Sequence, residues 1–231
     1  MRLLIVSDIH ANSVSLQHLK ERADRVVFLG DAVDYGPRPA ECVAWVRDRA
    51  DFAVRGNHDH AVACDADPQC SPAYREMAEA TRALHKHMLV PEDKAFLQDL
   101  PLELYFEFGG ARFYAVHASP GDPLYRYLPA DIPDEQLALE VARIEADTIL
   151  MGHTHLPSVR RIGTKLIVNP GSIGQPKDGD PRAAYAVWED GRVLLQRYSY
   201  PVEKTVRQLQ TQSLPAAVIG DLSRVLRTGR L

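Results

Sequence analysis

Asp8 with His10, Asp31, Asn57, His117, and His153 with His155 share one feature of placement: each lies at the end of a short apolar run. The runs read RLLIVSD, RVVFLGD, FAVRGN, ARFYAVH and TILMGH. A strand end that opens into a loop is where polar side chains converge on a ligand without filling the core. In extended chain, residues i and i+2 point to one side, so Asp8 with His10, and His153 with His155, each make a two-toothed claw. Neighbouring strands lie only ~4.8 Å apart, so claws at adjacent strand ends can meet. These oxygen and nitrogen donors are too many for one ion that must also keep a water, whereas two ions fit.

Singly, each element is weak. A lone Asp-x-His arises by chance, a His after a strand is commonly a hydrogen-bonded structural residue, and NPGS is a turn in which Gly171 supplies an unusual backbone angle. All five together, at successive strand ends, are not explained by chance.

The elements that must position them follow from the pattern. Continuous rather than alternating apolarity marks strands buried on both faces. Helical segments lie between them: SVSLQHLKERA after the first, and RPAECVAWVRDRA after the second, with Pro39 near its start. This is a βαβ-rich α/β layout. Residues 72–100 form a helical insertion in which Tyr74, Met77, Thr81, Leu84 and Met88 step by three and four, followed by a helix opening at Pro91. It packs on the body and could also wall a substrate cleft. TKLIVNPGS is a strand into a turn, and AAYAVWEDGRVLLQRYSY is a hairpin turning at Asp190-Gly191. In 201–231, two amphipathic helices carry Val202, Val206 and Leu209, then Leu222, Val225 and Leu226, faces for the core or for a second copy. With no linker or repeat, 1–231 reads as a single domain.

Composition narrows the partners. The chain has 231 residues, 45% hydrophobic and 25% charged, ordinary for a globular protein, and its net charge of -4 disfavours nucleic acid as the main partner. The first apolar run is broken by Ser7 and Asp8, too short for a signal peptide or a membrane span. Three cysteines, an odd number without a CxxC pair, fit a reducing compartment, so a cytoplasmic location is expected. Cys64 and Cys70 have no usual zinc spacing.

DIH (8–10), GDAVDYG (30–36), GNHD (56–59), VHASP (116–120) and GHTH (152–155) together resemble the calcineurin-like metallophosphoesterases, over Asp8 to about Trp188. The resemblance implies a four-layer α/β/β/α sandwich of two mixed sheets flanked by helices. It implies that Asp8, His10, Asp31 and His155 hold one metal ion, that Asp31, Asn57, His117 and His153 hold the other, and that Asp31 bridges them. His58 would protonate the leaving group, and Asp59 would orient His58 or the loop; His60 is read as a surface or supporting residue. A donor set without thiolate suits Mn, Fe, Co, Ni or Zn better than Ca or Mg, and the resemblance puts manganese first. Such a pair acidifies a shared water, so that hydroxide is available near neutral pH, and binds phosphoryl oxygens.

The segments around 31–43, 117–128 and 169–187 resemble a bacterial and archaeal branch, some of whose members act on diadenosine polyphosphates or phosphodiesters. The expected activity is therefore hydrolysis of a small phosphate ester or anhydride: a phosphodiester, cyclic nucleotide or dinucleoside polyphosphate. The alternatives are a nuclease, disfavoured by the acidic balance, and a non-catalytic scaffold, disfavoured by the complete donor set. Tyr35 stands where the phosphoprotein phosphatases have Arg, and Asp59 where they have Glu, which argues against a protein phosphatase. Asn12 is placed either to contact a phosphate oxygen or to cap the helix starting at Ser13. Arg182 is placed either to touch substrate or to pair with Asp178 or Asp180, the pairing being favoured.

Overall fold

The computed structural model describes residues 1–231. Its strands are β1 (Arg2–Val6), β2 (Arg25–Phe28), β3 (Phe52–Ala53), β4 (Glu103–Phe108), β5 (Ala111–Val116), β6 (Thr148–Leu150), β7 (Ser158–Ile162), β8 (Lys165–Asn169), β9 (Ala183–Glu189) and β10 (Arg192–Tyr198). Its helices are α1 (Ser13–Gln17), α2 (Pro39–Arg49), α3 (Asn57–Cys64), α4 (Arg75–Met88), α5 (Pro91–Asp99), α6 (Asp134–Val141), α7 (Val202–Gln210) and α8 (Ala216–Thr228).

The strands form two five-stranded mixed sheets, in the orders β10-β9-β1-β2-β3 and β4-β5-β6-β8-β7. Each has a parallel centre, β1 with β2 and β3 in one and β5 with β6 and β8 in the other. Antiparallel strands complete both.

Alternation along each strand sorts its side chains into layers. Leu3, Ile5, Val27 and Leu29 from one sheet pack between the sheets with Phe113, Ala115, Leu150, Val168 and Trp188. Leu4, Val6 and Phe28 face the other way, onto Leu16 of α1 and Val43 and Val46 of α2. On the far side Tyr114, Val116 and Ile149 meet Leu137 and Val141 of α6. The result is the expected α/β/β/α stack, and the continuous apolarity of the central strands is the mark of covering on both faces.

Three details differ from the sequence pattern. The first helix is confined to Ser13–Gln17, because the chain must return for the Asp24 amide to reach the Arg2 carbonyl, 2.9 Å away, before β2 begins. The third apolar run contributes only two strand residues, both partly exposed at the sheet edge. Strands β4 and β7 are edge strands of alternating burial that end in no polar cluster.

The insertion is a short 3-10 turn (Pro72–Tyr74) followed by α4 and α5. Met77 and Ala78 of α4 pack with Tyr35 and with Val206, Leu209, Val218, Leu222 and Leu226 of the last two helices. Those apolar faces therefore close on this chain's own insertion. No helix is long and apolar enough to cross a membrane.

Leu209 is fully buried at the centre of that cluster. Leu209→Ala should cost roughly 2 to 5 kcal/mol of unfolding free energy, read from urea denaturation; a loss below about 1 kcal/mol would mean that α7 is not anchored here.

Candidate metal centre

The loops after β1, β2 and β6 carry their polar residues in left-handed backbone. Asp8 (φ 53°), His10 (45°), Asp31 (65°), His153 (67°) and His155 (61°) all have positive φ. Asp8 and His10 do point together, but through this turn geometry and not through the extended-chain alternation expected, whereas His153 turns to His117 and Asn57 and His155 to His10 and Asp8. Asp and His tolerate the region better than most residues, yet each such residue still costs roughly 1 kcal/mol or more. Backbone bonds hold them there: the Asp8 amide to the Gly30 carbonyl and the His10 amide to the Asp31 carbonyl, both 3.0 Å. The Asp8 carboxylate in turn accepts the His153 amide at 3.2 Å. Gly56 is required by close approach, since a Cβ there would lie 2.0 Å from Asp31 Oδ1.

The seven donors are all buried, and a carbonyl behind each of three imidazoles decides what faces the centre. His10 Nδ1 donates to Val33 O (2.8 Å), His117 Nδ1 to Leu29 O (2.7 Å) and His155 Nδ1 to Gln175 O (2.5 Å). With the proton on Nδ1, each Nε2 presents a lone pair. Two of these, on His10 and His155, face each other at 3.2 Å. The third, on His117, lies 3.0 Å from Asn57 Oδ1 and 3.2 Å from His153 Nδ1. Asn57 is oriented by its amide nitrogen, which donates to Pro68 O, so its oxygen is also an acceptor. His155 Nε2 lies 3.2 Å from Asp8 Oδ1, which has no hydrogen-bond donor. Acceptors thus converge on acceptors, an arrangement that positive charge relieves, from a metal ion or, at His117, from a proton on Nε2.

Two groups of three donors lie close enough to share an ion: Asp8, His10 and His155, and Asp8, Asp31 and His117. Asp31 reaches both sides through one oxygen, Oδ2 lying 3.3 Å from His117 Nε2 and 3.7 Å from His10 Nε2. Its other oxygen accepts the His58 amide at 2.9 Å.

Charge states fit the same picture. Burial alone would raise the Asp8 and Asp31 carboxyls, but facing imidazoles, His155 for Asp8 and His117 for Asp31, hold both below the usual range. Burial pushes His10, His153 and His155 down toward the neutral form. At His117 burial opposes protonation, but Asp31 outweighs it and raises the pKa to about 9, marking a spot that favours positive charge. Ionised carboxylates and neutral imidazoles are the forms in which these side chains bind metal, so an ion at this centre would displace the His117 proton.

His58 Nδ1 is 2.7 Å from Asp34 Oδ2, which leaves Nε2, 3.4 Å from the Tyr35 hydroxyl, for the site. Asp59 does not touch His58. Its carboxylate accepts the amides of Asp31, Ala32 and Gly56 at 2.7, 2.8 and 3.1 Å and so shapes the loop that carries Asp31. Burial, with Asp31 nearby, lifts its pKa to about 6. Asp34 is thus the residue that orients His58, and its signal was the second Asp of GDAVDYG. The insertion holds it: the Asp34 amide donates to His85 Nδ1 and the Tyr35 amide to Thr81 Oγ1, both 3.0 Å.

Asn12 belongs to the fold rather than to a substrate contact. Its oxygen accepts from the Ser15 amide and Thr205 Oγ1, and its nitrogen donates to Gly174 O and Tyr200 Oη, which uses its full capacity. Arg182 pairs with Asp180 on the surface. His60 is partly buried with Nδ1 unpartnered, outside the donor groups. Two residues that the sequence reading did not single out border the site. The Tyr127 ring lies 3.8 Å from that of His153, and Lys177 stands over the rings of Tyr74 and Tyr35.

Residues 1–190 match the family model of the calcineurin-like phosphoesterase superfamily domain. An uncharacterised protein of Methanocaldococcus jannaschii is 30% identical over 92% of this chain and 93% of its own. Phosphodiesterase YfcE of Escherichia coli K12 is 25% identical over 82% of this chain and 88% of its own. The crystal structure of a metallophosphoesterase from Sphaerobacter thermophilus superposes with a TM-score of 0.80 at 32% identity, covering 97% of this chain and 99% of that one.

Facing lone pairs make a direct prediction. Saturating a chelator-treated sample with Mn at a thousandfold excess over Kd should stabilise the fold by about 4 kcal/mol and raise Tm by roughly 10 °C. Coincident melting of the chelated and loaded samples would mean that the converging donors are not a metal site.

Proposed function

Since this chain belongs to the calcineurin-like phosphoesterase superfamily and is a metal-dependent phosphoesterase, we propose that it hydrolyses a phosphoester or phosphoanhydride bond in a small substrate, a phosphodiester, cyclic nucleotide or dinucleoside polyphosphate. The convergence of acceptor atoms at Asp8, His10, Asp31, His117 and His155 carries this reading. The similarity to a phosphodiesterase over most of both chains supports the diester, and the net charge of -4 favours a small substrate over a nucleic acid.

In this reading Asp8, His10, Asp31 and His155 hold one divalent ion, and Asp31, Asn57, His117 and His153 the other, with Mn first and Fe, Zn, Ni and Co as alternatives. When bound, the pair supplies positive charge to the phosphoryl oxygens and acidity to a water poised for in-line attack. The protein then has three tasks. Asp59 holds the Asp31 loop through three amides. Asp34 accepts from His58 Nδ1, fixing the ring so that Nε2 faces the site. His58 Nε2 gives its proton to the leaving oxygen as the phosphorus–oxygen bond breaks, while the oxygen of water remains on phosphorus. Unpaired cysteines at 42, 64 and 70 support a reducing, cytoplasmic setting.

The activity is tested by reconstituting metal-free protein with Mn, Ni, Co, Fe or Zn. Bis-p-nitrophenyl phosphate, p-nitrophenyl phosphate, cyclic nucleotides and diadenosine tetraphosphate are assayed in parallel, with Asp31→Ala as control. Turnover of a diester or dinucleotide that vanishes in the control is expected. Two bound ions with no turnover of any of them would overturn the reading.

The proton donor has its own signature. His58→Ala should lose ~10²- to 10⁴-fold on substrates with poor leaving groups and far less on p-nitrophenyl esters, and Asp34→Asn should show the same pattern more weakly. Equal losses on both leaving groups would remove His58 as the acid.

A further inference from the structure

Lys177 is a cation beside the donor cluster that the reaction above does not use. Its ammonium lies 4.3 Å from the ring centre of Tyr74 and 5.7 Å from that of Tyr35. The Tyr35 ring in turn packs 4.8 Å from His10 and 4.9 Å from His58. Two residues before the lysine, the Gln175 carbonyl holds His155, and Pro176 stiffens the backbone between them. The carboxylates that follow do not neutralise it, since Asp178 pairs with Arg197 and Asp180 with Arg182 and Arg197. The charge of Lys177 opposes protonation of His155 and His153, and Asp8 and Asp31 favour its own. Burial lowers its pKa to about 8. A flexible, strongly hydrated ammonium held over two rings with no carboxylate partner is poised for an anion entering from the site side.

We propose that Lys177, backed by the rings of Tyr74 and Tyr35, is a phosphate-oxygen subsite next to the metal centre. This rests on the phosphoesterase reading for its substrate. A substrate can present that oxygen in two ways, from the phosphate being cleaved or from a second phosphate joined to it. In the first case the ammonium adds a charge-assisted hydrogen bond to the grip on the reacting group; in the second it favours anhydrides over simple diesters.

The test compares Mn-loaded wild type, Lys177→Met and Lys177→Arg. Calorimetric titration uses inorganic phosphate and methylenediphosphonate, with metal content checked after each run. Methionine keeps the unbranched stem and removes the charge, so packing against Tyr74 is largely retained. Lys177→Met should weaken binding about tenfold, the scale of one charge-assisted hydrogen bond, at unchanged metal content, and Lys177→Arg should recover most of it. Loss on both ligands assigns Lys177 to the phosphate being cleaved, and loss on the diphosphonate alone assigns it to the neighbouring phosphate. Unchanged binding of both by Lys177→Met overturns the subsite and leaves Lys177 as a charge balancing Asp8 and Asp31. Turnover of bis-p-nitrophenyl phosphate by the wild type is measured in parallel. A wild type that binds phosphate through Lys177 but turns over none of the substrates named above refutes the hydrolytic reading and keeps the subsite. An active wild type matched by Lys177→Met in binding and in KM refutes the subsite alone.

Discussion

The constraint on which this structure depends is the placement of hydrogen-bond acceptors against one another. Three backbone carbonyls, at Leu29, Val33 and Gln175, take the Nδ1 protons of His117, His10 and His155 and turn the opposite lone pairs inward. Asp8 and Asp31 add carboxylate oxygens among them. In a buried site such crowding is unfavourable without positive charge, because neither burial nor a neighbouring acceptor stabilises an unpaired lone pair. The positive φ of Asp8, His10, Asp31, His153 and His155 adds backbone strain to the same small volume. The rest of the fold must offset both.

The sandwich does so by bringing the carboxyl ends of two parallel strand sets to one place. Leu29, just beyond β2, belongs to one sheet's side of the core, and His117, just beyond β5, to the other's; the bond between them crosses the sheet boundary. The His153 amide on the Asp8 carboxylate is a second crossing bond. Between the sheets, Leu3, Ile5, Val27, Phe113, Leu150 and Trp188 fill the space so that neither sheet can slide without breaking close packing. Outside them, His85 and Thr81 of α4 fasten the backbone of Asp34 and Tyr35, so the insertion acts on the site through the residues that border His58.

How much of this was legible in the sequence depends on whether a residue acts through its own position or through its neighbours. The strand-end Asp, Asn and His residues were legible because type and place coincide, with a polar group directly after a buried run. Their left-handed backbone was not, since nothing in the order of Asp8-Ile9-His10 separates an extended claw from a tight turn. Asp59 was assigned to the ring or the loop, and only the three amides converging on its carboxylate decide for the loop. Asn12 offered two roles until Tyr200 and Thr205, some 190 residues away, took up its remaining capacity. Tyr127 and Lys177 lie in segments that carried the sub-branch resemblance, but neither stands at a strand end, so nothing singled them out within those segments. The edge strands β4 and β7 lacked the polar ending that marked the others.

Charge then separates what the protein does alone from what it leaves to bound cations. Asp8, Asp31, Asp34 and Asp59 are all fully or almost fully buried, and no arginine stands among them. Asp59 is held by amides and Asp34 by His58, each a local solution. Asp8 and Asp31 each accept one amide, from His153 and His58, and turn the other oxygen toward the imidazoles, where Asp8 Oδ1 has no donor. Two divalent ions would exceed their combined charge, leaving a surplus that hydroxide and an anionic substrate would balance. A phosphate suits such a centre through its charge and its several oxygens, whatever it is attached to. The residues that border the donor cluster, Tyr35, Tyr74, Tyr127 and Lys177, come from the insertion and the loops rather than from the strand ends.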